Sequence, residues 1–272
     1  MTSDLPIGVF DSGVGGLTVL RALRRRLPAE SLIYLGDTAR VPYGTKSVAS
    51  IVRYAAQATD HLVSRGVKML VVACNTASAV SIDPLRERFA PLPVIGVVEP
   101  GAEAAVAVSR RQHHLVLATE STVRRHAYAQ AIARLAPGAR VDEQACSLFV
   151  ALAEEGWTDG EVPDAVARTY LAPRMTHDSG GPDTIVLGCT HFPLLHDAIR
   201  SAVGPDVAIV DSATTTAEAV ARVLAADDLL TTHGRSGALT LLATDGPDRF
   251  AAVGARFLGE PIGAADVEVV DL

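Results

Sequence analysis

Three cysteines, Cys74, Cys146 and Cys189, occur in the chain, and two of them stand in matched surroundings. VVACNTAS and VLGCTHFP each lead from a short apolar run through a small residue to a cysteine, then to amide, hydroxyl or imidazole side chains. A lone cysteine is most simply a small buried hydrophobe. Two in the same setting, each directly after a predicted strand, are better explained as thiols delivered to one place. A free thiol titrates near ~8.5, so modest local stabilisation of the thiolate makes it a base at neutral pH. His191, two residues beyond Cys189, can hold that sulfur as thiolate or exchange a proton with it. Cys189-x-His191 could be half of a zinc site, but no second ligand pair with suitable spacing follows, so no metal is expected. Cys146, in DEQACSLFVAL, is assigned to packing.

Asp11 and Ser12 come next, in FDSGVGGLTVL, straight after the first apolar run. Glycines opening a helix are how anion sites are built. However, Thr18 occupies the third glycine position of a dinucleotide fingerprint, and no Gly-Lys-Ser/Thr follows. A tight turn delivering Asp11 and Ser12 fits better. LGDTARVPYGTKS places Asp37, Arg40, Tyr43, Gly44 and Lys46 in a loop whose density of donors favours a ligand loop over plain turn chemistry. In VVEPGAEAA, Pro100 belongs in the first turn of a helix.

The elements that position these residues follow from the apolar pattern. Ile7–Phe10, Leu32–Leu35, Met69–Ala73, Val94–Val98, Leu115–Ala118, Thr184–Leu187 and Ala208–Val210 resemble strands buried on both faces. Helical patterns over Gly16–Leu27, Val48–Arg65 and Thr215–Ala226 alternate with them. The alternation predicts a mostly parallel α/β sheet with ligands at the strands' carboxyl ends. VVACNTAS against VLGCTHFP, and FDSGVGG against VDSATTT, suggest two related α/β units facing each other. Ser179–Pro182 and Pro91–Pro93 are turns.

Composition excludes several classes. The 272 residues carry 24 Lys plus Arg against 31 Asp plus Glu, a net charge of −7, which argues against a generic nucleic-acid binder. An odd number of cysteines without C-x-x-C spacing argues against a disulfide framework. Neither a signal peptide nor an apolar run long enough to span a bilayer is present, so a cytoplasmic protein with reduced thiols is expected. Lys46 and Lys68 are the only lysines, and neither suits a buried Schiff base.

Together, IGVFDSGVGGLTVL, YLGDTARVPYG, VVACNTAS, VVEPGA, VLGCTHFPLL and VDSA resemble glutamate racemase, in that family's order and spacing from residue 7 to about residue 220. The paired cysteine motifs are the most specific part; residues 225–272 add little. The resemblance implies a cofactor-independent amino-acid racemase supplying D-glutamate for peptidoglycan. It implies two α/β domains across a central active-site cleft: residues 1–98 plus 212–272, and residues 99–211. Cys74 and Cys189 would be the catalytic thiols, Cys74 taking the proton from D-glutamate and Cys189 from L-glutamate. Asp11, His191 and Glu154 would assist them. Asp11, Ser12, Tyr43, Gly44, Asn75, Thr76, Thr119, Thr122, Thr190 and His191 would hold the substrate. A homodimer is implied and, by analogy with some members, a contact with DNA gyrase, made through protein rather than nucleic acid. Ser147, Ala151 and Ser121 depart from the family's usual proline, proline and glycine.

Racemisation removes a proton from one face of Cα and returns one to the other, which demands two acid–base groups across the substrate. Identical thiols suit a reaction whose two directions are mirror images. Without pyridoxal phosphate as electron sink, desolvation, positioning and donors such as Asn75, Thr76 and Thr190 must stabilise the carbanionic state. The competing readings are an aspartate or other racemase of the same superfamily, a cysteine hydrolase using one thiol with His191, and a regulatory binder of gyrase.

Overall fold

The computed structural model describes residues 3–175 and 180–272; Ser179 of the predicted 179–182 turn lies outside them. Two all-parallel sheets form the molecule. The six-stranded sheet contains β1 (Ile7–Asp11), β2 (Leu32–Gly36), β3 (Met69–Val72), β4 (Val94–Gly96), β9 (Leu239–Ala243) and β10 (Val267–Val269), in the order β10-β9-β2-β1-β3-β4. The four-stranded sheet contains β5 (His113–Ala118), β6 (Arg140–Ala145), β7 (Thr184–Gly188) and β8 (Ala208–Asp211), in the order β6-β5-β7-β8. The central strands β1, β3, β5 and β7 are buried along their whole length, because helices cover both faces of a parallel sheet.

The order β2-β1-β3-β4 is repeated as β6-β5-β7-β8, so the two sheets share one topology. In each, the chain reverses direction across the sheet between the first and third strands, opening a crevice at their carboxyl ends. Cys74 follows β3 and Cys189 follows β7, so the two cysteine motifs occupy equivalent corners. The second likeness does not hold in this sense. FDSGVGG follows β1, whose counterpart is β5, whereas VDSATTT follows β8 and its Asp211 caps the helix α10 (Ser212–Ala226) by accepting from the Thr214 N–H.

The predicted strands are present with ends moved by one or two residues; at β4 the difference changes the element, since Val98 begins the helix α4 (Val98–Val108) instead of ending the strand. Pro100 lies in the first turn of α4, where its missing N–H costs nothing. The three strands without a sequence signal are β6, β9 and β10. Both β6 and β10 are sheet edges with largely unburied residues, which removes the continuous apolar run that marks a central strand. Among the described residues no helix is long and apolar enough to cross a membrane.

Candidate active site

Loops at the carboxyl ends of β1, β2, β3, β5 and β7 and the segment after β6 converge on a cavity of about 320 Å³ lined by both cysteines. Cys74 and Cys189 are each 6% exposed. Cys74 caps α3 (Asn75–Phe89): its sulfur accepts from the Ala77 N–H at 3.4 Å, and the Ser12 hydroxyl shares a hydrogen bond with it at 3.3 Å. Burial and the nearby Asp11 carboxylate push the Cys74 thiol up to about 12, against the opposing pull of those two hydrogen bonds. Asp11 does not line the cavity. Its Oδ2 accepts from the Gly13 N–H at 2.9 Å and from the Tyr34 hydroxyl at 3.3 Å, so it acts on Cys74 by charge from behind.

The other thiol has the opposite company. Cys189 Sγ is 3.8 Å from His191 Nδ1, and His191 Nε2 is 3.2 Å from Glu154 Oε1 on α7 (Ser147–Glu155). Burial disfavours the imidazolium, but hydrogen bonds to Cys189 and Glu154 and their negative charge outweigh it and raise His191 to about 10. The bond from His191, assisted by Arg249, holds the Glu154 carboxyl below its ordinary range although partial burial opposes this. One sulfur therefore faces a carboxylate and the other an imidazolium.

Glycine makes this approach sterically feasible. A Cβ on Gly15, in the turn after β1, would lie 2.4 Å from the His191 ring. The Gly-x-Gly-Gly run thus admits a side chain from the facing unit. Nearby, Thr18 Oγ1 donates to the Thr190 carbonyl at 3.0 Å, tying the same two segments together.

Of the predicted substrate groups, Ser12, Tyr43, Gly44, Asn75, Thr76, Thr119, Thr190 and His191 line the cavity, and Glu154 joins them. Thr122 does not; it is fully buried and hydrogen-bonds Thr119, which in turn bonds Thr76, both at 3.1 Å. The Asn75 side chain is also committed: its Oδ1 accepts from Tyr128 at 2.7 Å and its Nδ2 points to Ser212 at 3.5 Å. The N–H groups of Asn75 and Thr76 in the first turn of α3 are the donors left over for an anion. Cys146 belongs to the hydrophobic cluster with Leu117, Phe149 and Leu187, a packing role.

Two residues outside the predicted site set hold it from behind. Asp37, fully buried, accepts from the Tyr43 hydroxyl at 2.5 Å and from Thr244 at 3.0 Å, and pairs with Arg40 at 2.8 Å. Tyr128 secures Asn75 as described. Neither lysine lines the cavity: Lys68 is buried against Glu30 at 2.5 Å, at the amino end of β3 and so at the far edge of the sheet. Among the described residues no cluster of three or more His, Cys, Asp or Glu is placed to bind a metal ion.

Comparisons agree with this architecture. The family model for Asp/Glu/hydantoin racemases matches residues 7–220. Glutamate racemase from Geobacter metallireducens is 50% identical over 266 residues, covering 98% of this chain and 96% of the relative. A glutamate racemase isoform from Bacillus anthracis superposes with a TM-score of 0.92 at 35% identity, covering 99% and 98% of the two chains. The Francisella tularensis enzyme, solved in complex with D-glutamate, gives 0.89 at 36% identity with the same coverage. This chain belongs to the Asp/Glu/hydantoin racemase family.

Proposed function

We propose that the protein interconverts L- and D-glutamate by proton transfer between Cys74 and Cys189, without a cofactor, and that its D-glutamate serves peptidoglycan synthesis. The observation that carries this reading is the pair of buried thiols at equivalent strand ends of two matched sheets, lining one cavity. One thiolate takes the Cα proton, the electron pair remains on the substrate as a carbanion delocalised into the carboxylate, and the opposite thiol returns a proton to the other face. The thiol that gave its proton is then the base for the reverse reaction. The substrate carboxylates meet hydroxyl donors and the first turn of α3, since among the described residues no lysine or arginine lines the cavity. Glutamate is preferred over aspartate because the similar full-length relatives carry that activity. In the same reading, residues 1–98 plus 212–272 act as one unit and 99–211 as the other, and two chains associate as a homodimer in the cytoplasm.

The test is turnover of L-glutamate in heavy water without added cofactor. D-Glutamate bearing deuterium at Cα is expected, while unlabelled product would exclude exchange through thiols. Single variants sharpen it. Cys189→Ala keeps only Cys74 and should exchange the α-proton of D-glutamate without racemising it, and Cys74→Ala should do so for L-glutamate. A hydrolase using Cys189 and His191 would instead tolerate Cys74→Ala.

A further inference from the structure

The last forty-eight residues carry no motif, yet one of their helices reaches the acid–base machinery with three side chains. Helix α11 (Pro247–Leu258) buries Phe250, Val253 and Phe257 against the larger sheet's core. Arg249 and Arg256, two turns apart, lie on one side of that helix. Arg249 Nη2 is 3.3 Å from Glu154 Oε2, and Arg256 Nη1 donates to the Glu154 carbonyl at 2.5 Å. Phe257 meets the His191 ring edge-on, with centroids 4.9 Å apart. Glu154 therefore uses one carboxylate oxygen on His191 and the other on Arg249.

Glu154 needs such a partner. It stands at the end of a nine-residue helix with a third of its side chain in solvent, so its carboxylate has rotamers that miss His191. Gly156 just beyond it adopts φ +79°, and a Cβ there would lie 3.0 Å from the Arg256 guanidinium. The glycine both ends α7 and leaves room for Arg256 to reach the Glu154 carbonyl. The charged and titratable groups that face His191 are then Cys189 on its own segment and Glu154 from α7, with Arg249 and Arg256 from α11 behind Glu154.

We infer that Arg249, supported by Arg256 and Phe257 on α11, is a positioning residue for Cys189: it holds Glu154 in the rotamer that orients His191. The inference rests on the two-thiol reading, and it gives the C-terminal region a part in the reaction without contact with substrate. Losing Arg249 releases Glu154 toward solvent, and His191 loses the acceptor that favours its charged form.

The experiment is a nitrogen-15 NMR titration of the His191 imidazole, identified by its loss in His191→Gln, in the wild type, Arg249→Ala and Arg249→Lys. In Arg249→Ala the midpoint should fall by about one pH unit or more, the size of shift a lost neighbouring charge partner gives. Arg249→Lys should restore most of it. Racemisation should fall about tenfold in kcat/KM, equally in both directions since the enantiomers are isoenergetic, within the ~10²-fold a misplaced catalytic group costs. An unchanged midpoint, or the upward move that removing a repelling cation alone would produce, overturns the inference. The titration needs no substrate, so it judges the role of Arg249 even if glutamate is not turned over. Failure of the wild type to racemise glutamate overturns the proposed function instead.

Discussion

At the scale of single residues, the two thiols are chemically unlike although their sequence settings match. Cys74 is kept protonated by burial and by Asp11, whereas Cys189 stands beside an imidazole that stays charged to about pH 10. The compensating positive group therefore stands on the Cys189 side of the pair. Iodoacetamide at pH 7 should leave Cys74 largely unmodified, because the thiolate is the nucleophile and this thiol is held protonated. Peptide mass spectrometry reads the extent, and Asp11→Asn should increase labelling of Cys74. The sign of the linked pH effect follows. His191 is raised from 6.5 to about 10 in the folded protein, so its charged pairing stabilises fully below pH 6.5 and is lost as pH rises through about 10. Labelling of Cys74 should set in only toward the upper end of that range.

At the scale of elements, the site depends on how closely two loops can approach. The turn after β1 brings Gly15 against His191, and the loop after β2 folds around Asp37, which takes up the Tyr43 hydroxyl. A methyl at Gly15 would push the imidazole off Cys189. Gly15→Ala is expected to lower kcat by about 10²-fold, the cost of roughly 1 Å of misplacement, with an unchanged far-ultraviolet circular dichroism spectrum. Retention of full activity would mean that the ring need not sit where it does. Much at this scale is legible in the sequence: the alternation of apolar runs and helical stretches predicts parallel strands, and the matched motifs place Cys74 and Cys189 at strand ends. The edge strands β6 and β10 are not legible, because half-exposed residues such as Arg140, Asp142 and Glu268 carry no apolar run.

Across the whole molecule, the larger sheet is completed by chain that returns from the smaller one, with β9 pairing alongside β2 and β10 beyond it. The buried Lys68–Glu30 pair pins this arrangement at the edge opposite the site: Lys68 also donates to the carbonyls of Ser3 and Leu229, and Glu30 accepts from the Thr231 N–H at 2.9 Å. Lys68→Met leaves a buried carboxylate unpaired and should cost about 3–5 kcal/mol in urea unfolding. Adding Glu30→Gln should recover part of the loss, and the KM for glutamate should be unaffected because the pair lies at the far end of β3.

By itself, the sequence determined the parallel α/β class, the two thiols and most of the loops that line the cavity, because strand burial and the chemistry of a carboxyl-end loop are encoded within a few adjacent residues. Tertiary structure alone decided which side chains face the cavity and which work from behind it. Asp11 and Thr122 were expected at the substrate but act through Cys74 and Thr119, and Asn75 spends its side chain on Tyr128. Arg249 and Phe257 had no signal at all, since their partners, Glu154 and His191, lie 95 positions upstream for the ion pair and on another sheet for the ring contact. Such contacts exist only once two independently patterned halves have packed, and no local pattern records them.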